Sequence, residues 1–285
     1  MTPWSGLPLP ITRLAGPLAE RPDVAAALGP ARGVLVVGHG TADPVGAEET
    51  RSVGRMVAAL LPGVPVEVGF LEVIGPAVGE AVAALAARGC RRAVAAPLLL
   101  FTAGHARRDI PEAVEAGGRA AGVAVGQTAP LGCHAAIVEL ARRRRREATR
   151  GRETVPPECT ALVMIGRGSS DPFAPRQLLE FTAATLAGGA GACPHDPDCR
   201  RIGLGFVAAA RPTVPEALAA AAGPGVRRVI VQPHLLFRGH VEEQVAHAAA
   251  AARRDHPAIE WLVARRLGAE PDVAAAVVDR VAEAL

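Results

Sequence analysis

Three short segments offer side chains able to bind a divalent metal or accept a proton, each at the end of an apolar run. Gly38-His39-Gly40 follows the run 34–37, Glu72 follows Gly69-Phe70-Leu71, and Gly104-His105 follows Pro97-Leu-Leu-Leu-Phe101. Imidazole and carboxylate suit a borderline divalent metal, and either can take up a proton. The flanking glycines allow a bulky ligand to approach the backbone.

The same pattern occurs again further along the chain. The segment from Gly33 to Pro44 recurs from Ala161 to Pro172, so that Arg167 falls where His39 stood. Gly69-Phe70 recurs as Gly205-Phe206, each followed by a Pro-x3-Glu (Pro76 to Glu80, Pro212 to Glu216). Arg91-Arg92 and Pro97 to Phe101 recur as Arg227-Arg228 and Pro233 to Phe237, and both copies then reach a Gly-His, Gly104-His105 and Gly239-His240. In the second copy the three positions hold Arg167, Ala208 and His240. A histidine at a strand end is commonly structural. Three polar groups at matching edge positions, two of them lost from the duplicate, point instead to an active first half and a second half that kept the fold. Arg167 still suits carboxylate recognition.

The elements needed to carry these residues are short buried strands alternating with helices. Runs at 34–37, 64–70, 93–100 and 123–125 are apolar or β-branched, as buried parallel strands require. Ala-rich stretches of helical length at 45–61 and 76–88 lie between them. The alternation predicts an α/β fold with a parallel sheet covered by helices on both faces in each copy. In such a sheet ligands bind outside the carboxyl ends of the strands, where His39, Glu72 and His105 fall. The divisions expected are an irregular leader at 1–32, a first domain at 33–150 carrying the metal site, a linker at 151–158 with Pro156-Pro157, and a second, degenerate domain at 159–285.

Other polar residues receive structural readings. His134 is expected to cap the following helix, and His234, inside an apolar run, to pack in the core. Cys193-Pro-His-Asp-Pro-Asp-Cys199 lacks a zinc-ribbon spacing and a second pair, so a surface loop is expected. The basic run Arg142 to Arg146 is expected to be a solvated helix face, because no aromatics interleave with it.

Composition bounds the rest. Half of the 285 residues are apolar, enough for a sizeable core. All 31 basic residues are arginine, yet the net charge is only +3, too small for a tail-type nucleic-acid binder. No apolar run reaches transmembrane length and the start is unlike a secretory signal, so no membrane partner is expected. Five scattered cysteines argue against a disulfide framework and for a cytoplasmic location.

The motifs together resemble the sirohydrochlorin chelatases, the ATP-independent class II metal chelatases of siroheme and cobalamin synthesis. The resemblance rests on Gly38-His39-Gly40 with Asp43-Pro44, on Gly69-Phe70-Leu71-Glu72, and on Pro97 to Phe101 leading to Gly104-His105 and Asp109-Ile110-Pro111. Gly166-Arg167-Gly168 with Asp171-Pro172 looks like the degenerate copy in the long, two-domain members. Thr41 stands where Ser is common, and a His-rich tail is lacking. The resemblance implies two similar four-stranded parallel α/β domains facing across a cleft, in a monomer with internal pseudo-two-fold symmetry. It implies insertion of Co2+ or Fe2+, as substrate, into sirohydrochlorin, with no tightly bound cofactor. His39 and His105 then fall on the metal ligands, and Glu72 on the acidic residue that accepts pyrrole protons. Arg107, Arg108, Arg167 and His240 are candidates for orienting the substrate's carboxylates. Two rival readings are a histidine phosphatase, disfavoured because Gly38 replaces the phosphate-clamping Arg, and a non-catalytic metal or tetrapyrrole binder.

Overall fold

A computed structural model describes residues 19–101, 108–187, 199 and 201–285. The first half builds a parallel sheet from β1 (Arg32–Gly38), β2 (Val66–Phe70), β3 (Arg92–Pro97) and β4 (Ala124–Gln127), in the order β2-β1-β3-β4. The second half repeats it with β5 (Thr160–Gly166), β6 (Arg201–Phe206), β7 (Arg228–Pro233) and β8 (Glu260–Val263), in the order β6-β5-β7-β8. Register repeats too: Gly38 lies beside Phe70 as Gly166 lies beside Phe206, and Val37 beside Pro97 as Ile165 beside Pro233. The expected fold, two four-stranded parallel sheets flanked by helices, is present.

The strands form where continuous apolar runs must be buried on both faces. Val34 and Val36 of β1 point into a large cluster shared by both halves, while Leu35 and Val37 point to the outer side with Val82, Leu85, Ile110 and Val114. The outer helices of the first sheet are α3 (Val78–Ala87) and α4 (Asp109–Ala121); those of the second are α7 (Val214–Ala221) and α8 (His240–Asp255). On the inner side lie α2 (Pro44–Leu60), α5 (Ala135–Thr149), α6 (Ala174–Leu186) and α9 (Pro271–Glu283).

The halves exchange their last helices. After β8, α9 packs on α2 and β3 of the first half through Val273, Val277 and Val281. After β4, α5 packs on α6, β7 and β8 of the second. Each half therefore completes the other's core.

This exchange corrects the reading of Arg142 to Arg146. Arg142, Arg144 and Arg145 are buried. Arg142 donates through Nε to the Thr185 carbonyl (3.0 Å) and through Nη2 to that of Ala184 (2.9 Å), and Arg145 Nη2 also donates to Thr185 (3.0 Å). These are the last carbonyls of α6, which have no partner within their own helix and carry the negative end of its dipole. Arg144 donates to the carbonyls of Arg266 (3.0 Å) and Leu267 (2.6 Å), while Arg143 pairs with Asp272 at 2.9 Å. The run is an interface seam between the halves, and only its composition resembles a solvated face.

A second difference lies in the stretch 1–32. Pro22–Leu28 forms a helix, α1, whose Val24 and Leu28 are buried in the shared core. Arg21 pairs with Asp279 of α9, and its N–H donates to the Leu60 carbonyl (2.7 Å). Seven residues are too few to form a helix on their own propensity, so packing stabilises it. Between α5 and β5 the chain runs through residues 150–159 with a single 3-10 turn at Pro157–Cys159. Most of the Cys193 to Cys199 segment lies outside the described residues; Cys199 itself is buried beside Leu162 and Ile230.

Candidate functional site

The strand order turns back between β1 and β3, and the crevice at their carboxyl ends is where ligands bind in sheets of this kind. The ladder between β1 and β2 runs two residues past the strands: Leu71 N–H donates to the Gly38 carbonyl (3.0 Å) and Glu72 N–H to that of His39 (3.1 Å). Side chains on these two residues must therefore be neighbours. His39 Nε2 lies 3.0 Å from Glu72 Oε1, with the side chains 42% and 59% exposed. The carboxylate fixes the ring, and both groups remain open to solvent and ligand.

Gly40 makes this approach possible. Its φ is +103°, and a Cβ there would lie 1.9 Å from the Glu72 carbonyl oxygen. The second half has the same backbone: Ala208 N–H donates to Arg167 (2.9 Å), and Gly168, at φ +88°, would place a Cβ 1.8 Å from the Ala208 oxygen. The scaffold is thus duplicated while its chemistry is not.

The loop after His39 feeds into α2. Asp43 caps that helix, accepting from the N–H groups of Val45 (2.8 Å) and Gly46 (3.2 Å), and its own N–H donates to Thr41 Oγ1 (3.1 Å). In the second copy Asp171 N–H donates to Ser169 Oγ (3.1 Å), and Asp171 accepts from Phe173 N–H (2.9 Å). Thr41 and Ser169 hold the same turn.

Arg238 was missed in the sequence. It lies on the loop between β7 and α8, and its Nε is 3.2 Å from Asp43 Oδ2. Its N–H donates to Glu49 Oε2 (2.8 Å), and its carbonyl reaches to within 2.2 Å of where a Gly46 Cβ would stand. Glu49 and Glu242 both bind Arg266, with Nη1 2.9 Å from Glu242. Burial opposes the Arg266 charge, and hydrogen bonds to Glu49 and Glu242 outweigh it, so the guanidinium is held above its ordinary value. These contacts pin the loop after β7 to the N-terminal part of α2, so loops at the carboxyl ends of the two sheets lie against one another. The signal available in the sequence was positional: Arg238 follows Phe237 in the second copy as Thr102 follows Phe101 in the first.

The remaining expected site residues differ in their placement. Arg167 is exposed at the position matching His39, and its guanidinium makes no ion pair among the described residues. Arg108 is exposed at the start of α4. His240, 78% exposed, turns along its own helix: Nδ1 is 3.6 Å from Glu243 and Nε2 is 3.0 Å from Gln244 Nε2. His105 and Arg107 lie outside the described residues. Among the described residues no third His, Cys, Asp or Glu joins His39 and Glu72 in a metal-holding group.

The two structural histidines behave as expected. His134 Nδ1 accepts from Ala136 N–H (3.2 Å) as the cap of α5, and its Nε2 is 3.5 Å from Asp279. His234 is buried, 3.9 Å from the Phe181 ring and 4.8 Å from that of Phe101, with both ring nitrogens unpartnered. Burial pushes its pKa down to about 3.

Known proteins share this layout. The CbiX family matches the chain twice, over residues 33–148 and 161–284. The chain is 28% identical over 255 residues to the sirohydrochlorin cobaltochelatase of Priestia megaterium, covering 89% of this chain and 80% of that protein. It is 32% identical over 237 residues to the sirohydrochlorin ferrochelatase of the same organism, covering 82% and 84%. Among solved structures it is similar to SirB from Bacillus subtilis with Fe3+, at a TM-score of 0.74 and 26% identity over 89% of this chain and 95% of that one. No helix of the described residues is long and apolar enough to cross a membrane.

Proposed function

Because the chain belongs to the CbiX family, we propose that it is a sirohydrochlorin chelatase, inserting Co2+ or Fe2+ into the tetrapyrrole in cobalamin or siroheme biosynthesis. The observation that carries this reading is the His39–Glu72 pair, 3.0 Å apart at the switch point of the first sheet, with Arg167 and Ala208 at the matching positions of the second. The metal is a substrate, and the reaction needs no tightly bound cofactor.

Insertion exchanges the pyrrole N–H protons for the metal. The site must therefore take the metal from water, leave coordination positions open to the macrocycle nitrogens, and remove protons. In this reading the neutral imidazoles of His39 and His105 hold the metal. Glu72, beside His39, accepts the departing protons. His105 and Arg107 are assigned from sequence position alone. Arg167, opposite the metal site, cannot ligate the metal but pairs with a substrate carboxylate. Arg107, Arg108 and His240 take the remaining rim contacts.

Residues 33–150 form the half that carries the metal chemistry, 151–158 the connection, and 159–285 the second wall. The exchanged helices support a monomer, since each half already finds its partner within the chain. Cys90, Cys133 and Cys159 are free thiols, which supports a cytoplasmic protein.

The test is turnover. The full chain is mixed with sirohydrochlorin and Co2+ or Fe2+ under anaerobic conditions, and the macrocycle's absorbance is followed. Metal insertion well above the uncatalysed rate is expected. Binding of metal and macrocycle without acceleration by either metal would leave the non-catalytic binder in its place.

A further inference from the structure

Among the described residues the large apolar side chains left exposed are Val45, Val73, Phe173, Ile202, Val263 and Leu285. Three of these stand at the carboxyl ends of the two sheets. Val73 follows Glu72 directly. Val45 and Phe173 occupy matching positions in the two copies, each bound through its N–H to the capping Asp of its loop, Asp43 or Asp171.

Phe173 is the notable one. The chain has only six phenylalanines, and the other described ones are buried or half-buried, whereas Phe173 is 56% exposed. Its backbone is fixed at both sides: its N–H donates to Asp171, and its carbonyl accepts from Gln177 N–H at 3.0 Å. A rigid base with an unpacked aromatic ring is a poor use of an aromatic for stability and a good platform for a ligand.

Val73 shows a second cost borne at the same place. It is 64% exposed and adopts φ +71°, with Ile74 N–H donating back to the Glu72 carbonyl (2.8 Å). The turn itself is duplicated, since Ala209 at the matching position of the second half has φ +55°, but a β-branched side chain is more strained there than an alanine, and only the first half carries one. Glycine would relieve the strain, yet the position carries a valine turned to solvent.

The chemistry of the substrate explains both. A conjugated tetrapyrrole is a flat apolar disc with carboxylates at its edge. Arg167 and Arg108 answer the edge; nothing assigned so far answers the face. We propose that Phe173, from the second half, and Val73, from the first, are the macrocycle-face contacts that hold the tetrapyrrole over His39 and Glu72. This rests on the chelatase reading. It gives the second half a positive role: it supplies the aromatic platform and the cation, while the first supplies the metal chemistry.

The experiment titrates metal-free sirohydrochlorin into the full chain by fluorescence, with Co2+ affinity measured separately. Phe173→Ala is expected to weaken macrocycle binding about tenfold, the scale of one aromatic stacking contact, with Co2+ affinity unchanged. Phe173→Tyr is expected to restore it. Val73→Gly is expected to raise thermal stability while weakening macrocycle binding, a pairing that a purely structural role does not produce. Ile202→Ala, at the far end of β6, removes an exposed apolar side chain away from the rims and is expected to change nothing. Wild-type binding in both Phe173→Ala and Val73→Gly would overturn the proposal while leaving turnover intact. Failure of the wild-type chain to bind or metallate sirohydrochlorin would instead overturn the chelatase reading and this proposal with it.

Discussion

Gly40→Ala and Gly168→Ala make a matched pair of perturbations, because the same backbone occurs twice with different chemistry on it. At Gly40 a Cβ would stand 1.9 Å from the Glu72 carbonyl oxygen, and at Gly168 it would stand 1.8 Å from that of Ala208. Ordinary contact begins near 3.4 Å, so in each variant the turn must retreat by roughly 1.5 Å. That movement breaks the hydrogen bond joining the two strand-end residues, at about 1 kcal/mol. The left-handed φ, +103° or +88°, adds about 1–3 kcal/mol for a residue with a Cβ. Each variant should therefore lose about 2–4 kcal/mol, which lowers the melting temperature by roughly 3–7 °C in a chain of this size. Activity separates the two. In Gly40→Ala the His39–Glu72 pair is displaced by more than an ångström, and kcat should fall on the order of a hundredfold. In Gly168→Ala kcat should stay within about threefold while KM for the tetrapyrrole rises, since only Arg167 and its neighbours move. Thermal melts and steady-state kinetics on the two proteins decide it. A Gly40→Ala enzyme with normal kcat, or equal loss of kcat in both, would refute the assignment of the metal chemistry to the first half.

Other consequences follow from the buried polar groups and the rim. His234 has a folded-state pKa of about 3, below its ordinary value of about 6.5, so below pH 6.5 the unfolded chain takes up a proton that the folded one refuses. Stability should fall with pH across that window by up to about 1.4 kcal/mol per unit, and His234→Leu, which matches Leu98 of the first half, should raise stability by about 1–2 kcal/mol and flatten the slope in denaturant melts. Arg145→Ala should cost about 2–3 kcal/mol by chemical denaturation, because it removes one of the two arginine donors to the Thr185 carbonyl and a donor to Gln232 inside the seam; a loss below 1 kcal/mol would mean that the seam is not holding the halves together. Arg167→Ala should raise KM for sirohydrochlorin about tenfold with metal affinity unchanged, whereas a fall confined to kcat would remove Arg167 from substrate binding.

Much of this architecture can be read from the residues because the chain states it twice. The apolar runs ending at Gly38 and Gly166 are continuous, as strands buried on both faces must be, and the residue after each run falls at a carboxyl end by topology alone. His39 and Glu72 could thus be put on one edge before any contact was known. What escapes a local reading is whatever depends on which half a helix joins. The segment Arg142 to Arg146 has the composition of a solvated face, and its burial follows only from α5 crossing to the other sheet, where open carbonyls of α6 await donors. The helix Pro22–Leu28 is equally invisible, since seven residues carry too little periodicity and owe their order to α9, some two hundred and fifty residues away. Arg238 has no motif of its own; it gains its place from Asp43 and Glu49 in the other half.

The central claim, that His39 carries the metal chemistry, is tested most directly by single-turnover insertion of Co2+ into sirohydrochlorin by His39→Ala, with the fold checked by circular dichroism. The account predicts a rate lowered on the order of a hundredfold or more, with macrocycle affinity within about threefold of the parent chain. A folded His39→Ala protein that inserts the metal at a near-parental rate would contradict it.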